Sequence, residues 1–170
     1  MSTKVITGKV RFSYCHVWEP DAMEGSEPKY SVVLLIDKSD KTTLDKINAA
    51  VAEAKELGKT KFGGKIPAVL KLPLRDGDTE KPDSPEFQGM MFVNARSTNK
   101  PGIVDADLNP ILDKDEFYSG CYGRASITFY AFFQPNKGIA CALNNLQKLE
   151  DGERFDGRAS AEEDFADDLM

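Results

Sequence analysis

The chain has few of the residues that build metal centres and catalytic triads. It contains one histidine and three cysteines in 170 residues, and Cys15, Cys121 and Cys141 lie far apart with no Cys-x-x-Cys spacing. Such a set matches no zinc-ligand pattern, and a single histidine argues against a Ser-His-Asp triad as the basis of a function. We therefore expect no metal, no cofactor and no catalytic residues. The odd, scattered cysteines are typical of reduced thiols that pack as small hydrophobic side chains.

Long apolar runs are also missing. No stretch approaches the roughly 18 apolar residues of a membrane span. The first ten residues, MSTKVITGKV, lack the apolar segment of a signal peptide. We therefore expect a cytoplasmic protein with no membrane partner. With 41% hydrophobic residues, the chain can form one core, in a single domain of about 150 residues.

Negative charge is concentrated at the carboxyl end. Residues 150–170 contain nine acids and two arginines, a net charge of −7, so the −6 of the whole chain leaves +1 for residues 1–149. A segment this acidic cannot bury enough apolar surface to fold alone. We predict a folded domain over 1–149 and a disordered acidic tail over 150–170, which docks on a partner or lies on a basic groove. The alternative is a tail that only keeps the protein soluble.

Alternating apolar and polar residues predict β-strands. In the first strand, Ile6 to Tyr14, the even-numbered residues share one face, and the second strand is expected to be buried on both faces. One helix is predicted between a capping box at Thr42 and a stop at Gly58. Five strands with one helix favour a mostly β fold, a small antiparallel barrel. The five segments are 6–14, 30–36, 90–96, 122–133 and 139–143.

Residues 59–88 form a long segment rich in glycine and proline. It is too long for an idle connector in a compact domain, which indicates an insertion with a function. Its first half carries several lysines together with Arg75, whereas its second half is acidic. Whether this insertion contacts a ligand stays open at the level of sequence.

The strand over 122–133 places polar and aromatic residues on one face. Arg124, Tyr130 and Phe132 share that face, and the last strand offers only small residues opposite them. Rings bordered by cations are what unpaired nucleic acid requires, because bases stack on rings while cations follow phosphates. The alternative is that Tyr130 and Phe132 pack under the helix or the insertion, as most strand aromatics do.

A resemblance sharpens this interpretation. The run FYSGCYGRASITFYAFFQPNKGIACALNNLQKLEDGERFDGRASAEEDF, preceded by GKVRFSY, EPKYSVVLLIDKSD, PLRDGD and GMMFVNARS in that order, closely resembles the bacteriophage single-stranded-DNA-binding proteins long catalogued as a phage domain of unknown function. The resemblance implies an OB-fold barrel, binding of single-stranded DNA with little sequence preference, and an acidic tail. It allows double-stranded DNA as a further ligand, and it leaves a homodimer or self-association on DNA open.

The resemblance and the strand pattern together define candidate site residues. The family motifs and the facing of the strands indicate DNA-binding roles for Arg96, Tyr118, Tyr122, Arg124, Tyr130 and Phe132. Charge alone adds Lys9, Arg11, Lys71 and Arg75. The tail, which in comparable single-strand binders recruits replication proteins and competes with DNA, would use Glu162, Glu163, Asp164, Phe165, Asp167 and Asp168.

The expected function is therefore non-catalytic binding and protection of single-stranded DNA in phage replication or recombination, inside the infected bacterium. Two alternatives stay open. One is a barrel that binds another protein of a phage assembly. The other is a metal-dependent nuclease that uses the carboxylates of the loop 105–116, since clustered acids can hold the divalent cations of phosphodiester cleavage. Those carboxylates are Asp105, Asp107, Asp113 and Glu116.

Overall fold

Strands dominate the structure, a computed structural model that describes residues 3–21, 27–66, 70–133 and 137–155. Within these residues the helices are α1 (Lys41–Leu57) and α2 (Gly77–Glu80), with 3₁₀ turns at Lys59–Phe62 and Pro85–Phe87. The strands are β1 (Lys4–Ile6), β2 (Val10–Asp21), β3 (Lys29–Asp37), β4 (Leu74–Asp76), β5 (Met90–Ser97), β6 (Gly102–Val104), β7 (Tyr122–Phe132) and β8 (Gly138–Glu150). The predicted tail residues from Glu162 to Asp168 lie outside the described residues.

Five of these strands close a barrel. The pairs β2–β3, β3–β5, β7–β8 and β2–β7 are antiparallel, and a parallel contact between β5 and β8 completes the ring. β1, β4 and β6 are short additional strands that pair with β7, β5 and β8 respectively. The five-stranded OB-fold-like barrel with one main helix is therefore confirmed.

The interior of the barrel follows the predicted alternation in the later strands. On β7 the odd-numbered residues are buried and the even-numbered ones are not. On β3 both faces are covered, as predicted: Val32, Leu34 and Ile36 join the main core, whereas Leu35 packs with Phe87 and Phe92 in a second cluster on the outside of the sheet. This second cluster lies beside the groove described below.

The prediction for the first strand is wrong at both ends. Ile6 is 41% exposed and its neighbour Val5 is buried, because the segment breaks into β1 and β2. Thr7, expected to face outward, is completely buried. Burial is tolerated because its hydroxyl donates to Gly8 O at 2.8 Å and accepts from Ala125 N at 3.0 Å. At the other end Tyr14 faces solvent instead of the core.

Helix α1 begins two residues earlier than predicted. Asp40, and not Thr42, is the N-cap residue, and its Oδ1 accepts a hydrogen bond from Thr43 N at 3.2 Å. Gly58 ends the helix as predicted, but for a reason of space. A Cβ at this position would lie 2.3 Å from Cβ of Ala131, so only glycine lets the end of α1 approach β7 this closely.

The segment 59–88 is more regular than its composition predicts, because it contains β4, α2 and both 3₁₀ turns. Its middle is tied to the barrel through Lys71: Lys71 N donates to Lys137 O at 3.1 Å, and Ile139 N donates to Lys71 O at 2.8 Å. Phe87 is 1% exposed and anchors the far end. The insertion is thus held against the outer face of β5 and the start of β8.

The three cysteines are free thiols, as predicted. Burial raises the pKa of Cys15 to about 12 and raises the pKa of Cys141 as well. They act as small core side chains. In the part of the chain that the structure covers, helices are too short or too polar to cross a membrane.

Candidate nucleic-acid interface

A groove of about 1370 Å³ runs across the outer face of the barrel. Its floor comes from outward residues of three neighbouring strands, because the register pairs Val33 with Asn94, Ser31 with Arg96, and Arg96 with Ala142. Ala140 and Ala142 extend the floor along β8. Such small side chains leave room for a ligand to approach the backbone of the sheet.

Aromatic residues stand on both sides of this floor. Tyr130 and Phe132 come from β7 and Tyr14 comes from β2, while Phe87 and Phe92 line one end. Tyr130 is 45% exposed and Tyr14 is 53% exposed. The alternative in which Tyr130 and Phe132 both pack beneath the helix or the insertion is therefore wrong for Tyr130, whereas Phe132 is half-buried. Rings of this exposure can offer a face to a planar ligand.

The groove is strongly cationic. Its lining includes one described carboxylate, that of Glu27, against five cationic side chains. Glu80, outside the lining, offsets one of them: its Oε2 accepts from Arg75 Nε at 2.9 Å. The net positive charge of the lining attracts polyanions, since the low-dielectric walls of a cleft focus the electric field of charges of one sign. The five cations are Lys29, Lys71, Arg75, Lys81 and Arg96.

Half of the sequence-derived DNA-binding candidates meet in this groove: Arg96, Lys71, Arg75, Tyr130 and Phe132. Arg96 sits on the floor, and Tyr130 and Phe132 on the wall formed by β7. The insertion supplies Lys71 and Arg75, so the structure places part of it at the groove. That these residues contact DNA stays a prediction.

Four other candidates lie outside the groove, beneath residues 150–155, which we call the strap. Arg11 is held by the strap and its surroundings: its Nε donates to Gly120 O at 2.9 Å and its Nη2 to Glu153 O at 2.8 Å. The same guanidinium lies 4.1 Å from the ring centre of Phe155 and 5.1 Å from that of Tyr122. Lys9 pairs with Glu150 at 2.9 Å. These cations therefore already have protein partners.

Tyr118 is likewise engaged by the strap. Its hydroxyl lies 3.1 Å from Asp151 Oδ1 and 3.0 Å from Gly152 O, and it accepts a hydrogen bond from Gly152 N at 3.1 Å. Partial burial raises the pKa of Tyr118. A Cβ on Gly120 would lie 2.0 Å from Glu153 O, so the strap is packed directly on the backbone of the body. The first residues of the predicted tail thus form part of the folded structure.

Arg124 is the remaining candidate. It lies on the same face of β7 as Tyr130, as the alternation predicts, but six residues earlier and beyond the groove lining. Its Nε donates to Thr7 O at 2.9 Å, so it also fastens the loop between β1 and β2. Between Arg124 and the groove lies a polar strip in which Asn144 Nδ2 donates to Thr128 Oγ1 at 2.9 Å.

The acidic loop 105–116 uses its carboxylates to shape its own turns. Asp105 Oδ1 accepts from Asp107 N and Asn109 N, each at 2.9 Å, and Asp113 Oδ1 accepts from Asp115 N at 2.8 Å. Nowhere in the described ranges do three or more His, Cys, Asp or Glu side chains gather in a way that could hold a metal ion.

Several residues that line the groove were not among the predicted DNA-binding residues. Asn94 could have been predicted from the sequence, because it lies on the same face of its strand as Arg96, two residues away. Lys81 and Phe87 carry no such signal, since their place depends on how the insertion folds over the sheet. Lys29 begins β3, one residue before the predicted strand. Tyr14 was assigned to the wrong face.

Comparison with known proteins assigns the chain to a family. The family model described as Enterobacter phage Enc34, ssDNA-binding protein, matches residues 3–170. The chain belongs to this family. A curated relative, putative protein p50 of Acyrthosiphon pisum secondary endosymbiont phage 1, is 29% identical over 98% of this chain and 94% of its own length.

Solved structures of Enc34-family proteins share the fold. The single-stranded DNA-binding protein from bacteriophage Enc34 in complex with ssDNA is 28% identical, with a TM-score of 0.82 over 90% of this chain and 89% of that chain. The C-terminal truncation of the Enc34 protein gives a TM-score of 0.80 at 28% identity over the same shares. The single-stranded DNA-binding protein gp2.5 of bacteriophage T7 shares the fold at 14% identity, with a TM-score of 0.65 over 100% of this chain and 96% of that chain.

Proposed function

We propose that this protein binds single-stranded DNA in the cationic, aromatic groove, without catalysis and with little dependence on sequence, during phage DNA replication or recombination in the host cytoplasm. The observation that carries the proposal is the meeting of exposed rings with five cations over a floor of small residues. The Enc34 relative that shares this fold is described in complex with ssDNA, which supports the same ligand here.

The groove chemistry gives the mechanism. Bases stack on Tyr130 and pack beside Phe132, and each such stack contributes about 1–3 kcal/mol whatever the base. Arg96 on the floor and Lys71 on the insertion neutralise phosphates and release counterions, which makes the affinity fall with salt. The floor at Ala140 lets the strand lie close to the sheet. No base edge needs to be read for this binding to occur.

The direct test is a fluorescence titration of the full-length protein against oligonucleotides of mixed, oligo-dT and oligo-dC sequence across a salt series. We expect affinities within about threefold of one another, since stacking tolerates every base. If four to five cations contact phosphates, a plot of log affinity against log salt should have a slope of about −3. Duplex DNA and RNA serve as comparison ligands. No binding of any single strand at low salt would instead favour the protein-interaction barrel.

The contribution of the insertion can be measured separately. We expect Lys71→Gln with Lys81→Gln to weaken binding and to make the salt slope shallower by about 1.4, because two phosphate contacts are lost. The matched control is Lys41→Gln with Lys46→Gln, which removes the same charge from exposed positions on α1 outside the groove. Equal slopes for the two double variants would remove the insertion from the DNA path.

We propose further that the acidic tail competes with DNA for the groove and recruits replication or recombination proteins. The position of the strap supports competition. Its last residue, Phe155, packs on the second cluster, whose members Val33, Phe87 and Phe92 also line the groove. The strap therefore ends beside one end of the groove. A segment attached to Phe155 has a high effective concentration relative to the groove. The acids proposed to act, from Glu162 to Asp168, lie beyond the described residues.

A further inference from the structure

Tyr14 has a backbone conformation that a tyrosine rarely adopts. Its φ is +48°, in the left-handed region that is costly for a side chain with a Cβ. The cause is an irregularity in the pairing of β2 with β3. Ser13 pairs with Val33 but His16 pairs with Ser31, so three steps along β2 match two along β3. One extra residue is thereby accommodated, as in a β-bulge.

The bulge turns the Tyr14 side chain outward. Phe12 before it and Val17 after it are both completely buried, and Ser13 is 2% exposed. In an unbroken strand Tyr14 would share the inward face of Phe12. Instead it is 53% exposed at the groove wall. A large ring held in solvent by a strained backbone contributes little to the core, so its placement points to a ligand.

The surroundings of Tyr14 hold it in this position. Cys15 N donates to Ser119 Oγ at 3.0 Å, and Trp18 Nε1 donates to Phe117 O at 3.0 Å, which fixes β2 on the far side of the bulge. The ring centre of Tyr14 lies 6.4 Å from that of Phe87, which packs edge-on against Phe92 at 5.1 Å. The ring is thus supported along one side and open on the other.

We propose that Tyr14 is a second base-stacking residue, at the wall of the groove opposite Tyr130. The inference rests on the proposed function and adds a residue to it. Counted across the groove, β3, β5 and β8 lie between Tyr14 on β2 and Tyr130 on β7, which is four strand spacings or roughly 19 Å along the curved surface of the barrel. A bound strand would therefore stack at two places, with Arg96 and Asn94 between them. The bulge fixes the second ring before DNA arrives.

Three substitutions in the full-length protein test this role. We expect Tyr14→Ala and Tyr14→Gly to weaken binding of an oligo-dT strand of about 20 nucleotides by about 5- to 20-fold, whereas Tyr14→Phe stays within about twofold of wild type. Thermal unfolding provides the second readout. Glycine accepts the left-handed backbone, so Tyr14→Gly should have a higher Tm than Tyr14→Ala while binding no better.

The length of the oligonucleotide sharpens the test. For Tyr14→Ala we expect the ratio of wild-type to variant affinity to grow with oligo-dT length until the strand reaches both rings, and then to stay constant. A ratio near one at every length, with wild-type protein binding normally, would overturn the role of Tyr14 and leave the groove intact. Failure of the proposed function would look different, because wild-type protein would then bind no single strand.

Discussion

Replacing Arg96 and Tyr130 together by alanine should lower the affinity for single-stranded DNA by about 100-fold at low salt. One stacking platform is worth about 1–3 kcal/mol, and the lost phosphate contact adds to it. Both side chains are exposed in the free protein, so their removal leaves the core unchanged and Tm close to that of wild type. A fluorescence or mobility-shift titration with oligo-dT at several salt concentrations measures the loss.

The chain offers a matched control for this variant. Arg124→Ala with Phe133→Ala also removes one exposed arginine and one exposed ring, and neither residue lines the groove. We expect the control to bind within about threefold of wild type, because it removes the same single positive charge without removing a side chain of the groove. Loss of the hydrogen bond from Arg124 to Thr7 O should lower its Tm slightly. Comparable losses in the two double variants would mean that DNA follows another path over β7, and the groove assignment would fail.

The strands of the barrel could be predicted because their alternation is regular. From Tyr122 to Phe132 every second residue is buried, so the sequence alone placed Tyr130 and Phe132 on the outer face of β7. Arg96 came from the family motif, and it too lies in the groove. Period-two burial is a local property of a strand, and sequence patterns record it well.

The alternation failed where a strand was irregular. The sequence from Ile6 to Tyr14 alternates, yet the chain breaks after β1 and bulges after Ser13. One signal was available: Phe12 and Val17 are both apolar but five residues apart, so they can both face the core only if an extra residue lies between them. Bulges are set by tertiary contacts, here those of β2 with Ser119 and Phe117, which a local pattern cannot show.

Whether the other candidates lie inside or outside the groove also depends on tertiary contacts. Arg11 and Tyr118 are a cation and a ring of the expected kind, but the strap occupies them through contacts with residues more than thirty positions away. Conversely, Lys81 and Phe87 lie in a segment whose sequence predicted only an insertion. Which cations line the groove depends on how two non-local segments, the strap and the insertion, fold onto the barrel.

The strap also changes where the acidic tail should be cut. Truncation after residue 149 would remove the hydrogen bonds from the strap to Arg11 and Tyr118 along with Phe155. An intramolecular hydrogen bond contributes about 1 kcal/mol to stability. We therefore propose that the segment able to compete with DNA begins at residue 156. Residues 156–170 contain six acids and one arginine, a net charge of −5.

Deleting residues 156–170 should tighten binding of oligo-dT by about tenfold or more at low ionic strength, because an intramolecular competitor is removed. The gain should shrink towards one as salt screens the tail from the groove. Truncation after residue 149 should instead lower Tm. Titrations of both truncations and of wild-type protein across a salt series, with thermal unfolding alongside, separate competition from damage to the fold.

A tail of full length without charge distinguishes electrostatic competition from simple obstruction. Changing Glu162 and Glu163 to Gln, with Asp164, Asp167 and Asp168 to Asn, keeps every residue of the segment but removes five negative charges. If acids compete with phosphates for Arg96 and the lysines of the groove, this variant binds nearly as tightly as the deletion. If the amide variant binds DNA with wild-type affinity, the negative charge of the tail is not the cause of its competition with DNA. Unchanged affinity in the deletion as well would leave recruitment of other proteins as the role of the tail.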